Sequence, residues 1–427
     1  MNDFHKLSAA GMRDEIARGR LSSVAVVTSC LRWIEIREPL IGAWAHIDPE
    51  WALDHARAAD AHQAAGKVLG PLHGVPVGIK DLIDTADLPT EYGTPAFAGH
   101  RPQANAEVVN RLQAAGAIIL GKTVTTELAF YGPGKTRNPV DPSRTPGGSS
   151  SGSAAAVADY HVPLALGSQT AGSILRPASY CGVFGFKPTF GEIPLEGVIA
   201  QSPPLDTLGG YARSVADMAL LMAVLTGKSC DLDLVDGRPL RLAFLRTPAW
   251  PQGDADMRAA IERLVRANEG LISEVSMPED FAATGGLQRA VQFHDIARNF
   301  GPIVDKHPSI MSAKLKDVVA EGRSVTAAEY DAALARREPL YRSLESIFSA
   351  YDAILTPASQ GVAPAGLSST GSPMFNFIWT YLGVPAISIP LLTSGGLPLG
   401  MQLVGPRGSD ARLLGVAEAA MAALKRP

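Results

Sequence analysis

Residues 71–81 read PLHGVPVGIKD. The run Val75–Ile79 is apolar, short and bounded by glycine and lysine, which predicts a buried strand. Lys80 closes that run, so a lysine stands at the end of an apolar strand. Moving outward, the pattern alternates. Ala106–Ala115 predicts a helix ended by Gly116, and Ala117–Leu120 predicts the next strand. Ser153–Asp159 opens another helix, and Leu164–Leu166 another strand. Strand, helix and strand in alternation predict an α/β fold: an open, mixed, twisted sheet flanked by helices.

The flanks extend this reading. Ser23 is the expected cap of a helix with the apolar face Val27, Cys30, Leu31 and Ile34, closed by Pro39. A second helix is expected over residues 50–66, and mostly loop over 123–143. After Leu208 helical pattern prevails, at Val215–Leu225, Asp256–Asn268 and Thr326–Ser349. RLAFL (241–245), AILTP (353–357), PAISIPLL (385–392) and LPLGMQLVG (397–405) read as strands. No repeat of fixed period and no linker between halves is visible, so one large domain, 1–427, is expected.

Bulk composition narrows the function classes. With 427 residues and 46% hydrophobic composition the chain can bury a large core. A formal charge of −4 supplies no basic footprint for nucleic acid. No apolar run approaches the roughly 18 residues of a membrane span, and the N-terminus has no apolar signal core. The expectation is a cytoplasmic protein that binds neither membrane nor nucleic acid. Cys30, Cys181 and Cys230 are odd in number and widely spaced, which argues against a disulfide framework or a thiolate metal site. No His and acid spacing suggests a metal site either.

Two further segments carry chemistry. The first is PGGSSSGSAAAVA (146–158), containing Ser149. A Gly/Ser-rich stretch by itself reads as a flexible linker. Here an Ala-rich helix follows at once, and small residues before a helix let backbone approach a ligand. The absence of a Lys-Ser or Lys-Thr end excludes a phosphate loop. The second is GSQTAGSILRPASYCG (167–182), containing Ser173. Thr170, Ala171, Gly172 and Ser173 are small and consecutive, and follow a strand. They form either a tight turn or a set of convergent N–H donors of the kind acyl transfer needs. A serine nucleophile needs a base, and a lysine kept neutral by burial can serve. Lys80, Ser149 and Ser173 together read as a Ser-Ser-Lys hydrolase.

These segments resemble the amidase signature family, whose pattern is a lysine after a GVPVxIKD strand, a GGSSxGS loop and a serine in GxxTxGS. RLQAAGAIILGKTVTTELA (111–129), RNPVDPSRTPGG (137–148), CGVFGFKPTFG (181–191) and GLPLGMQLVG (396–405) are similar to the family as well. Within it the text is most similar to the malonamidase branch. The resemblance implies a single amidase domain over 1–427, with a signature core at about 71–210. Residues 211–350 are then a mainly helical insertion forming part of the substrate-side wall. It implies no cofactor, a small-molecule amide substrate and roles for individual residues. Ser173 is the nucleophile. Ser149, beside an unusual cis peptide, bridges Ser173 and Lys80, and Lys80 is the base. The N–H groups of Thr170, Ala171, Gly172 and Ser173 form the oxyanion hole. A homodimer is the expected assembly.

The chain departs from the common family text GSDTGGSIR at Gln169, Ala171 and Leu175, and its arginine is displaced by one, to Arg176. Ala171 adds a methyl where glycine is commoner, but the donors of the hole are main-chain groups and are retained. Arg176 matches the arginine that holds a substrate carboxylate in malonamidase; the alternative is a structural arginine on a nearby acid or loop carbonyl. Gly148, Phe130, Tyr131 and Trp379 are the other expected substrate contacts. Among the aromatics near Trp379, Phe375, Phe377 and Tyr381 are alternatives, and Phe293 and His294 weaker ones. Asp81 and Asp84 are expected to turn away from Lys80 and tie down their loop. His73 is expected in a turn or the core, and Cys181 as a buried filler.

The reaction implied is hydrolysis of a small carboxamide, with a carboxylate-bearing amide such as malonamate as the candidate substrate. The same machinery serves an aryl amide, carbamate or ester hydrolase. A different class, an amidotransferase subunit that makes ammonia for charged tRNA, shares the motifs. The Gln169–Arg176 text and the lack of a basic face argue against it.

Overall fold

The computed structural model describes residues 3–230, 232 and 239–425. Eleven strands form one mixed sheet. In chain order they are β1 (Trp44–Ile47), β2 (Pro76–Lys80), β3 (Ile118–Thr123), β4 (Leu164–Gln169), β5 (Phe184–Lys187) and β6 (Thr207–Ala212). Then follow β7 (Leu242–Leu245), β8 (Ile272–Val275), β9 (Ala353–Pro357), β10 (Ala386–Ser394) and β11 (Leu397–Val404). Their spatial order is β1-β3-β2-β4-β6-β5-β10-β11-β9-β7-β8. Strand β2 runs parallel to β3 and β4, and β7 parallel to β8 and β9; the other pairs are antiparallel. Every residue of β2, β3 and β9 is buried. Strands covered on both faces lose the alternation of a half-exposed strand and read as continuous apolar runs, which is why 75–79 is readable. The α/β class and the flanked mixed sheet are as expected.

The Gly/Ser segment is an ordered part of this core. Its helix, Ser151–Ala158, is made of SGSAAAVA, and all but the last residue are buried. A side chain at Gly152 would run into Ala43 O and Val124 N. Only small residues let this helix lie so close to the sheet. Ser153 Oγ donates to Leu166 O at 2.7 Å, and Ser151 Oγ to Gly147 O at 2.8 Å.

Several boundaries differ from expectation, each for a local reason. Ser22, not Ser23, caps the helix Ser23–Ile41; its Oγ accepts from Ala25 N. That helix continues past Pro39 because Ile41 is buried, and it ends at Gly42 with φ 63°. The helix expected over 326–349 is three pieces, Ala327–Ala335, Arg337–Arg342 and Glu345–Ala350. Pro339 has no N–H for the Ala335 carbonyl, so the first piece ends there. Residues 211–350, expected to be mainly helical, are filled mostly by helices in their described part. They also supply β7 and β8, which extend the same sheet. The 23-residue helix Thr284–Lys306 has no clear sequence pattern, because Gly285, Gly286, Gly301 and Pro302 interrupt it.

Candidate active site

Sheet register brings the three motifs together. Parallel pairing of β2 with β4, Gly78 opposite Ala165, sends both carboxyl ends to the same edge of the sheet. In open α/β sheets that edge is where ligands bind. Lys80 is the last residue of β2, and the 170–173 turn leaves the end of β4. The Ser151–Ala158 helix starts beside them and brings Ser149. The Gly148–Ser149 peptide bond is cis.

Lys80 is fully buried. Its Nζ donates to Ser149 Oγ at 2.7 Å and to Ser168 Oγ at 2.9 Å. Burial holds the lysine well below its usual pKa, opposed by the field of Asp206. Asp81 and Asp84 do turn away. Asp81 accepts from Glu91 N and lies 3.4 Å from Lys122 Nζ, while Asp84 accepts from Tyr92 OH at 2.9 Å. Ser149 is buried and Ser173 half-buried, and both line one narrow cavity of about 20 Å³. A larger hollow of about 910 Å³ lies between the Ser23–Ile41 helix and residues Lys135 and Arg137. It contains none of Lys80, Ser149 or Ser173, so size does not identify the site.

The 170–173 turn is held through its carbonyls and side chains. Thr170 O accepts from Gln288 Nε2 at 3.2 Å, Ala171 O from Thr380 Oγ1 at 2.7 Å, and Ser173 O from Tyr211 OH at 3.1 Å. Gln169 Oε1 accepts from the amides of Ile174 and Leu175, and its Nε2 donates to Thr380 Oγ1 at 2.9 Å. Gln169, where the common family text has an acid, therefore closes the turn as a neutral group. Among the described residues the amides of Thr170, Ala171, Gly172 and Ser173 have no hydrogen-bond partner within the chain.

Phe130, Tyr131, Ala171 and Arg176 line the same cavity. Arg176 is almost fully buried. One terminal nitrogen donates to Gly148 O at 2.6 Å and to Thr370 Oγ1 at 3.3 Å. Its Nε and other terminal nitrogen are buried without a partner, and it forms no ion pair among the described residues. Burial pulls its pKa down. Gly148 thus stands behind the arginine and contributes its carbonyl.

Trp379 is not a pocket residue. It is fully buried in an apolar cluster with Leu175, Leu205 and Val384. In the short helix Phe377–Tyr381 its large apolar surface takes the core side, and Thr380 from the same turn reaches the site. Phe375 and Tyr381 are core residues too. Phe293 stacks edge-on behind Phe130, 6.1 Å between centroids, and His294 bonds to Val325 O. His73 and Cys181 are buried.

Several residues of the site lie outside the sequence expectation, among them Ser168, Gln201, Asp206, Gln288, Gln292, Thr370 and Thr380. Gln201 and Gln292 line the cavity, and Gln292 Nε2 donates to Gln201 Oε1 at 2.7 Å. Ser168 is readable as the small residue before Gln169. The glutamines carry no signal, since their helix and loop are far away in the chain.

Comparison with known proteins gives the class. A solved structure described as an amidase superposes with a TM-score of 0.90 at 30% identity, covering 98% of this chain and all of that one. The native peptide amidase from Stenotrophomonas maltophilia superposes with a TM-score of 0.82 at 27% identity, covering 99% and 98%. A glutamyl-tRNA(Gln) amidotransferase subunit from Chloroflexus aggregans (strain MD-66 / DSM 9485) is 34% identical over 482 aligned positions, covering 98% of this chain and 96% of that protein. These relatives define an enzyme acting on amides. The Amidase family pattern matches residues 25–414, and the chain belongs to that family.

Proposed function

We propose that this site cleaves a small carboxamide through an acyl-enzyme, with Ser173 as nucleophile, Ser149 as bridge and Lys80 as base. A neutral amine 2.7 Å from Ser149 Oγ can accept the Ser149 proton as that hydroxyl takes the proton of Ser173. Ser173 Oγ then bonds to the amide carbon. The free amides of residues 170–173 are donors for the negative oxygen that forms, each worth about 10²–10³ in rate. The proton returns to the leaving nitrogen, the C–N bond breaks, and ammonia departs. Water attacks the acyl-enzyme by the same route.

The observation that carries the substrate reading is Arg176. A buried guanidinium with two unpartnered nitrogens beside the nucleophile is costly unless an anion completes it. A carboxylate matches its fork. We therefore assign the substrate as a small amide bearing a carboxylate, of the malonamate type. The experiment is ammonia release by the purified chain from malonamate and from propionamide. Preference for malonamate supports the assignment, and preference for the neutral amide refutes it.

The curated relatives favour a second reading, one component of a glutamyl-tRNA(Gln) amidotransferase. Its acyl half is the same chemistry; the ammonia is handed on instead of lost. Ammonia release that appears only when partner proteins and glutamyl-tRNA are added would establish it. Release by the chain alone at full rate counts against it.

A further inference from the structure

Asp206 stands directly before β6. Antiparallel pairing sets Thr207 opposite Gln169, so the residue before Thr207 meets the residue after Gln169, which is Thr170. There the Asp206 carboxylate collects three donors. Thr170 Oγ1 donates at 2.5 Å, Gln201 N at 2.8 Å and Ser202 N at 2.9 Å. One oxygen holds the 170–173 turn and the other the 201–202 loop. Gln201 in turn donates to Ala129 O at 3.1 Å, next to Phe130 on the cavity wall. Asp206 is thus the junction between the candidate oxyanion donors and the opposite wall.

We propose that Asp206, as a carboxylate, is a positioning residue that fixes the 170–173 amides against the cavity wall and sets the field felt by Lys80. The inference rests on the Ser173–Ser149–Lys80 reading above. Two backbone N–H groups share one Asp206 oxygen and the Thr170 hydroxyl meets the other, and a carboxylate accepts from all three at once through charge-assisted bonds. Its charge is the opposing influence on the buried amine of Lys80. The other acid acting on it is Asp295, reached through Ser202 Oγ; the groups that bond to Asp206 are neutral. Burial raises Asp206 to about 6, so its carboxylate form is lost below that pH.

Asp206→Asn keeps the shape and can still accept from Gln201 N and Ser202 N, but its NH₂ then donates to Thr170 Oγ1, so a neutral bond replaces the charge-assisted one that holds the turn. It also removes the charge that favours the Lys80 ammonium, so the Lys80 pKa falls further. The test is labelling of Ser173 by a fluorophosphonate, followed by intact mass across pH. In that reaction the Ser173 Oγ–P bond forms, the P–F bond breaks, fluoride leaves, and the hydroxyl proton passes through Ser149 to Lys80. Wild type should label and Ser173→Ala should not; failure here refutes the nucleophile assignment itself. Asp206→Asn should label roughly 10–100-fold more slowly, with its acid limb moved to lower pH. Thr170→Val should slow labelling without moving the limb, and Thr170→Ser should restore the rate. Wild-type rates in Asp206→Asn, or slow labelling with an unmoved limb, overturn the proposal. If Asp206→Asn does not fold, the Thr170 pair decides: an unslowed Thr170→Val overturns it.

Discussion

Lys80 Nζ lies 2.7 Å from Ser149 Oγ, deep in the core, and bonds to hydroxyls rather than to a carboxylate. A lysine in that setting resists protonation, because burial disfavours the ammonium by more than the field of Asp206 restores it. The shift runs toward the neutral amine, the form the proposed base needs.

Ser173→Ala should abolish turnover, by on the order of 10⁴-fold or more, and leave the fold intact. Activity near wild type, with an unchanged melting curve, would refute the nucleophile assignment. Ser149→Ala should lose activity by a comparable order, since it removes the bridge between Ser173 and Lys80.

Turnover by the wild type should rise with pH through the Lys80 transition, well below the pH at which free lysine titrates, because the neutral amine is the active form. Lys80→Ala should be least impaired at high pH, where hydroxide partly replaces the base. A flat pH response in that variant would count against the role of base.

Lys80→Met should be inactive and yet melt higher than wild type near neutral pH. The sign follows from linkage. The folded-state pKa is depressed, so between it and the unfolded value the unfolded chain binds more protons. Stability then rises with pH across that window, and below it the buried amine costs stability that methionine does not. Thermal unfolding at pH 7 and near pH 10 checks this: the advantage of Lys80→Met should shrink at the higher pH.

Arg176→Gln should lower kcat/KM for malonamate by about 10–100-fold, the worth of a charge-assisted hydrogen bond. Propionamide should be affected much less. Equal losses on both substrates would mean that Arg176 acts through its bond to Gly148 O, at the Ser149 loop, and holds no substrate carboxylate.

Trp379→Ala should cost about 3–5 kcal/mol of stability through the cavity it leaves. Trp379→Phe should leave KM unchanged, as befits a core residue. Gly172→Ala should instead lower kcat. A Cβ there would press on Asn376 Oδ1 and come within 2.9 Å of Pro373 Cβ, displacing the turn that offers the free amides.

Much of the fold is legible locally. The runs at 75–79 and 353–357 are legible as strands because strands buried on both faces read as near-continuous apolar runs. β6 is not legible. Its text, TLGGYA, carries two glycines, and a side chain at Gly209 would run into Phe186 O. A glycine demanded by close strand approach erases the β pattern that would announce the strand. The Thr284–Lys306 helix is hidden in the same way by its glycines and proline.

The sequence by itself determined the candidates for the chemistry: Lys80 ending an apolar strand, Ser149 in a small-residue turn before a buried helix, and Ser173 in a turn of small residues. Those signals are local, because each depends on the backbone space and apolar surroundings its own segment provides. Tertiary structure alone decided what surrounds them. Trp379 went to the core and Thr380 to the site because a one-turn helix can give only one face to each. Asp206 met Thr170 because antiparallel register set β6 beside β4, and Gln288 and Gln292 came from a helix more than a hundred residues away. Hydrogen-bond partners are chosen by distance in space, and spacing along the chain carries no record of that choice.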